Sequence, residues 1–153
     1  MIRVLALALA AASFPIIAAA SDFHYCEITL DLRIDGRKIA SPNAIVEFGK
    51  PAEFTEEDIA GHHGWQLKLV LDEPTIVRRV TGIPADIELY ELVDGAPILR
   101  LSPHVVIAPG QSAQLQLPFG GGDTREAELD LVALPRADAD VQDRAGTASD
   151  DNG

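Results

Sequence analysis

The sequence predicts an all-β chain: an antiparallel β-sandwich built from two tandem copies of a strand-hairpin motif, pseudo-twofold in arrangement. Three observations predict it. Residues 41–54 (SPNAIVEFGKPAEF) recur as residues 102–115 (SPHVVIAPGQSAQL), a spacing of 61. Each copy is preceded by an alternating run ending in Asp-Gly, at 28–36 and 87–95, and followed by another, at 67–70 and 129–132. No segment carries an apolar stripe at the 3.6-residue helical period over a useful length. A repeat of this kind fixes architecture before any single element is considered.

In the first copy, Ile28, Leu30, Leu32 and Ile34 alternate with Thr29, Asp31 and Arg33. Period-2 alternation marks a strand with one face in the core and one in water. Asp35-Gly36 reads as a two-residue turn, because both central positions of a type I′ turn need positive φ. Residues 37–40 return, and Pro42 breaks the ladder for want of an N–H. A third strand spans 44–48, Gly49-Lys50-Pro51 turns, and 52–54 form a short fourth. Residues 55–64 form a polar loop in which Glu56 to Ala60 suggest one helical turn capped by Thr55. The fifth strand, 65–72, places Trp65, Leu67, Leu69 and Leu71 on one face.

The second copy follows the same plan: 86–93, the turn Asp94-Gly95, 96–101, the Ser102-Pro103 break, 104–108, 112–117 and 127–134. Aligning the Asp-Gly turns sets Leu32 against Glu91, a charge in an apolar row. A bulge near Tyr90-Glu91-Leu92, moving Leu92 inward, repairs the mismatch. Between the copies, residues 76–80 suggest an additional strand. A unit of about 50 residues makes a poor core unaided. Each copy, about 27–74 and about 86–135, is therefore expected to give part of both sheets of one domain, 21–135.

The ends read differently. Met1-Ile2-Arg3, an apolar run over 4–20 and Ala18-Ala19-Ala20 before Ser21 have the form of a cleaved signal peptide, 1–20. The run is short for a spanning helix and is interrupted by Pro15. The expected location is periplasmic or secreted, with no stable membrane insertion after cleavage. The lone Cys26 cannot form an internal disulfide, and its place at a strand entrance predicts burial. Residues 136–153 have Val141 as their one aliphatic larger than alanine, and read as a disordered acidic tail. The whole chain has 24 acidic residues against 12 basic ones. That balance argues against nucleic acid and anionic membrane surfaces, which favour clustered Lys and Arg.

The Pro-x-Val-x-Val-x-x-Gly-x-x-Ala-x-hydrophobic pattern, at 42–54 and 103–115, resembles a strand segment of bacterial secretins. The likeness covers about 13 residues per copy and includes none of the membrane-spanning hairpins of those channels. It implies a β-module of the cell envelope rather than a pore.

Candidate chemistry is sparse. His24 and Cys26 at the start of the mature chain, with His62 and His63 in the loop, are ligand types that copper or zinc selects. No Gly-x-Ser-x-Gly elbow, His-Glu-x-x-His or phosphate loop appears, so no catalytic motif points to an enzyme. Edge strands and the aromatics Trp65 and Phe119 suit partner binding instead. The expected function is a non-catalytic protein-interaction or accessory module of the envelope, with an unidentified protein partner. The alternative is a small periplasmic Cu or Zn protein using His24, Cys26, His62 and His63.

Overall fold

The computed structural model describes residues 23–137, with 59, 120, 121 and 123 excepted. The proposed leader and the tail beyond Ala137 lie outside the described residues. Five strands come from the first half: β1 (Phe23–Ile34), β2 (Arg37–Ala40), β3 (Asn43–Glu47), β4 (Pro51–Glu57) and β5 (His63–Leu71). A short β6 (Thr75–Val77) follows. The second half supplies β7 (Val80–Val93), β8 (Ala96–Leu101), β9 (His104–Ile107), β10 (Ser112–Pro118) and β11 (Glu126–Ala137).

All pairings are antiparallel and give two sheets packed face to face. The first has the order β10-β11-β1, with β2 and β3 both on β1. The second has the order β4-β5-β7, with β6, β8 and β9 on β7. Each half of the chain thus contributes to both sheets. The pairings also correspond: Ala52 sits opposite Leu69 as Ala113 sits opposite Leu131. Where the chain crosses between sheets, Gly49 N–H donates to Leu71 O at 2.7 Å and Gly110 N–H to Ala133 O at 2.8 Å.

Alternation dictates the core. Cys26, Ile28, Leu30, Leu32 and Ile34 of β1 are buried, beside Ala127, Leu129, Leu131 and Ala133 of β11. They face Leu67, Leu69 and Leu71 of β5 and Ile83, Ala85, Ile87 and Leu89 of β7. Each fully buried Leu or Ile contributes about 1.5–3 kcal/mol from removal of apolar surface from water. No buried polar or charged residue interrupts the core among the described residues.

Both Asp-Gly turns have the positive φ of type I′: 51° and 74° at Asp35-Gly36, 52° and 76° at Asp94-Gly95. The expected alignment of Leu32 with Glu91 is corrected. Pairing slips between Leu32 and Arg33 in one hairpin and between Leu89 and Tyr90 in the other. Leu89 therefore holds the place of Leu32, and each arm of the β7–β8 hairpin is two residues longer. The residue skipped lies on the return strand, Ile39 or Arg100, rather than at Tyr90-Glu91-Leu92.

Two further expectations change. The helical turn at Glu56–Ala60 is not formed: β4 runs through Glu57, because β5 pairs with it as far as Gly64. Asp58 then closes the loop, its carboxylate accepting from His62 N–H at 2.9 Å. At the other end β11 continues through Arg136 and Ala137, which pair with Tyr25 and Phe23. The Arg136 guanidinium ion-pairs with Glu27 and fastens this extension.

Gly64 is required by this packing. A Cβ there would lie 2.2 Å from Glu56 O and 2.8 Å from Glu57 Cα, both backbone atoms. Gly64→Ala is expected to cost roughly 1–3 kcal/mol through forced backbone movement, and Leu131→Ala roughly 2–5 kcal/mol through the cavity it leaves. Urea unfolding midpoints at constant slope measure both.

Candidate functional site: two ends and one open edge

The sandwich has two chemically distinct ends. At one, β1 and β7 turn back as hairpins beside the β4–β5 and β10–β11 loops. Asp35 N–H donates to Glu126 O at 2.9 Å, and Gly95 N–H to His62 O at 3.1 Å, tying these segments in two pairs. At the other end the described chain begins and finishes, with Phe23 opposite Ala137.

The hairpin end is closed by a polar plug. Glu91 follows Ile87 and Leu89 on the inward face of β7, opposite Trp65 on β5. Its carboxylate accepts two hydrogen bonds from Arg125, at 2.9 and 3.1 Å, and one from Arg100 Nε at 2.8 Å. Arg125 also lies over the Phe119 ring, 5.1 Å from its centroid, and Phe119 stacks on Trp65 at 5.7 Å. The bond from Arg125, then that from Arg100, holds the Glu91 carboxyl below its ordinary value against the opposing effect of burial. Held by both arginines, the Glu91 carboxylate supports the structure of this end.

The four proposed ligands do not converge. Cys26 is buried at the start of β1, and His24 is exposed and skipped in the pairing with β11. His62 and His63 are exposed at the hairpin end. Cys26 and Ile34 are eight positions apart along β1, about 26 Å of strand, so the pairs occupy opposite ends. Burial pushes the Cys26 thiol up to about 11, away from the thiolate that a metal needs. Among the described residues, no group of three or more His, Cys, Asp or Glu is arranged to hold a metal ion.

The third feature is an edge. Among the described residues, β10 and β4 occupy corresponding outer positions, each paired on one side only by its neighbour. β4 carries Glu53, Glu56 and Glu57, the charges by which edges usually resist pairing. β10, SAQLQLP, has no charge and runs seven residues in unbroken register with β11. Its inward row, Ala113, Leu115 and Leu117, is only half-buried, so a strand laid beside it would complete their cover. Beside it on the outer face lies a shallow polar recess of about 620 Å³, lined in part by Gln114, Gln116, Glu128, Asp130 and Asp31. Asp130 stands opposite Asp31, an unfavourable like-charge pair. Asp31 is neutralised by Lys38 at 2.9 Å and Arg33 at 3.0 Å. Asp130 instead accepts from Ser112 Oγ at 2.5 Å and Gln114 Nε2 at 3.3 Å, both on β10. Arg33 also lines the recess, opposite Glu128, so the outer face behind the edge carries three acids against the two cations Arg33 and Lys38.

No family model, curated protein or solved structure matches the chain. The sequence points to edge strands in general, but not to β10. The absence of charge in 112–118 was visible, yet it has meaning only once β10 is known to be outermost. Glu91 stands out in the sequence as a charge in an apolar row, and in the structure it is the centre of the plug.

Two outcomes follow from the titrating groups. Glu91 has a depressed folded pKa, so its stabilisation is present above the ordinary carboxylate value of 4.5 and is lost as pH falls through the folded value. Glu91→Gln should cost about 1 kcal/mol near pH 7, discounted for partial exposure, and the gap from wild type should close in acid. Chemical unfolding across a pH series reads this. Cys26, buried with its thiol near 11, should resist a maleimide at neutral pH and react once urea unfolds the chain.

Proposed function

We propose that the protein is an exported, non-catalytic interaction module of the bacterial cell envelope that receives a partner's extended segment along β10. The observation that carries this reading is the contrast between two corresponding edges, β4 guarded by three glutamates and β10 without a charge. Strand addition takes its affinity from main-chain hydrogen bonds and its selectivity from alternate side chains. The partner segment suited to β10 is apolar on its inward face, to extend the Ala113-Leu115-Leu117 row. On its outward face it carries Lys or Arg, toward Asp130 and Glu128. The apolar leader-like run at 4–20 and the secretin-like segments at 42–54 and 103–115 support an envelope setting. In the fold, the second of these segments holds β9, the crossover turn and most of β10.

The test is photo-crosslinking in intact cells from a reactive residue replacing Gln116. Capture of one protein is expected, unaffected by chelators. It should fall at least tenfold when Gln114→Lys is combined with a lysine at Ser112, since edge lysines block pairing, while the thermal midpoint holds. Capture indifferent to these substitutions overturns the reading. So does stoichiometric Cu or Zn that co-purifies and is lost in a His62→Ala/His63→Ala variant.

A further inference from the structure

β5, β6 and β7 form one long hairpin rather than three separate strands. β5 pairs with β7 from His63–Val93 to Leu71–Ala85, and β6 resumes the same ladder after Asp72, Glu73 and Pro74. On its other side β7 pairs with β9 only as far as Ile83. The tip therefore overhangs the end where the described chain begins and finishes. Arg79 is five residues beyond Pro84, about 16 Å of strand.

This overhang has an unusual composition. Ile76, 76% exposed, and Val80, 62% exposed, are the two most exposed large hydrophobic residues described. Antiparallel partners share a face, and Ile76 pairs with Thr81 while Val80 pairs with Val77. Ile76 and Val80 therefore lie on opposite faces of the arm. Between them the turn is Arg78-Arg79, at φ 51° and 70°. This left-handed region disfavours ordinary side chains, and Asn-Gly is the usual solution for such a turn. Strain retained at an exposed tip points to a role for the side chains it displays. Beneath the arm an open apolar recess of about 870 Å³ is bordered by Phe23, Ile76, Thr81, Pro109, Leu134 and Pro135.

We propose that this arm is a membrane-contact element: its tip dips into the interface of an anionic phospholipid bilayer, with Arg78 and Arg79 at the lipid phosphates. Two observations select a bilayer. A ligand held in the recess needs the Ile76 face alone, whereas a tip apolar on both faces suits immersion with its cations at headgroup level. The chain's acidity opposes an anionic surface, but the arm's own acids, Asp72 and Glu73, sit at its base. There Asp72 N–H donates to Pro84 O, about two Debye lengths from Arg79 at physiological salt.

The probe is co-sedimentation of the protein recovered after export, its first residue fixed by mass spectrometry, with vesicles of phosphatidylethanolamine and phosphatidylglycerol. Phosphatidylcholine vesicles serve as the uncharged comparison. Wild type should sediment with the anionic vesicles only. Arg78→Gln/Arg79→Gln should weaken partitioning roughly thirtyfold, from two cations at the surface. Ile76→Ser/Val80→Ser should abolish it, with thermal midpoints unchanged in both variants. Ile76→Trp should gain a blue-shifted emission quenched by brominated lipid. Equal sedimentation of wild type and variants overturns the proposal. It also fails if a fluorescent fatty acid below its critical concentration binds in an Ile76-dependent, Val80-independent way, making the recess a small-ligand site. It fails again if vesicles bind only after removal of 138–153, which would make the acidic tail the partner of Arg78 and Arg79.

Discussion

The pairing of β1 with β11, from Phe23–Ala137 to Ile34–Ala127, places the first and last described strands side by side. The rest of the structure depends on it. Each half holds too few apolar residues to enclose a core, and its alternating strands leave one face wet and one dry. Lending β4 and β5 to one sheet and β10 and β11 to the other turns two poor cores into one. The crossovers at Gly49 and Gly110 make that exchange possible, since each turn N–H is satisfied by a carbonyl on the far strand. Long-range pairing of this kind carries a large loop-closure cost, which the continuous row from Cys26 to Ile34 offsets by burial.

A shared plan leaves the differences between halves exposed to view. The β7–β8 hairpin has two more residues per arm than β1–β2, which carries an inward carboxylate past the last apolar layer. An isolated charge there would be costly. Arg125 and Arg100 meet it, and the Phe119–Trp65 pair seals the gap beside them. Among the described residues, the opposite end has no such plug. There β7 begins earlier than β6 and β9 can shelter it, and the sheets part around an apolar recess. One half's added length therefore closes one end, while the segment joining the halves opens the other.

How much of this was legible in the sequence depends on how local each determinant is. Both Asp-Gly turns could be read because a type I′ turn needs two adjacent residues at positive φ and nothing else. The alternating faces could be read because Trp65, Leu67, Leu69 and Leu71 obey one period. Glu91 could not be placed, because anchoring an alignment on the turns hides an insertion just before them. The helical turn at Glu56 failed because Gly64 admits β4 at backbone distance, a contact set by a residue eight positions away. Arg136 and Ala137 joined the sheet through partners more than a hundred residues distant. For the candidate sites the same rule holds: His24, Cys26, His62 and His63 are metal-ligand types by chemistry, but strand length sends them to opposite ends.

The two outer strands bring these arguments together. β4 and β10 occupy matching positions and pair with neighbours in matching register; two inward places are half-buried and apolar on both, Ala52 and Phe54 against Ala113 and Leu115, while the third is exposed Glu56 on β4 and half-buried Leu117 on β10. At the outward places fold stability makes the same demands of both, so it does not explain Glu53 on β4 against Gln114 on β10. Lys68 Nζ on β5, 3.2 Å from Glu53, even spends a cation on the guarded edge. On β10 the polar side chains turn instead toward Asp130, so Ser112 and Gln114 are engaged with β11 rather than obstructing the edge. An uncharged, unbulged edge is a liability for a protein that works alone. Its place beside a guarded twin is the observation behind the proposal that β10 receives a partner.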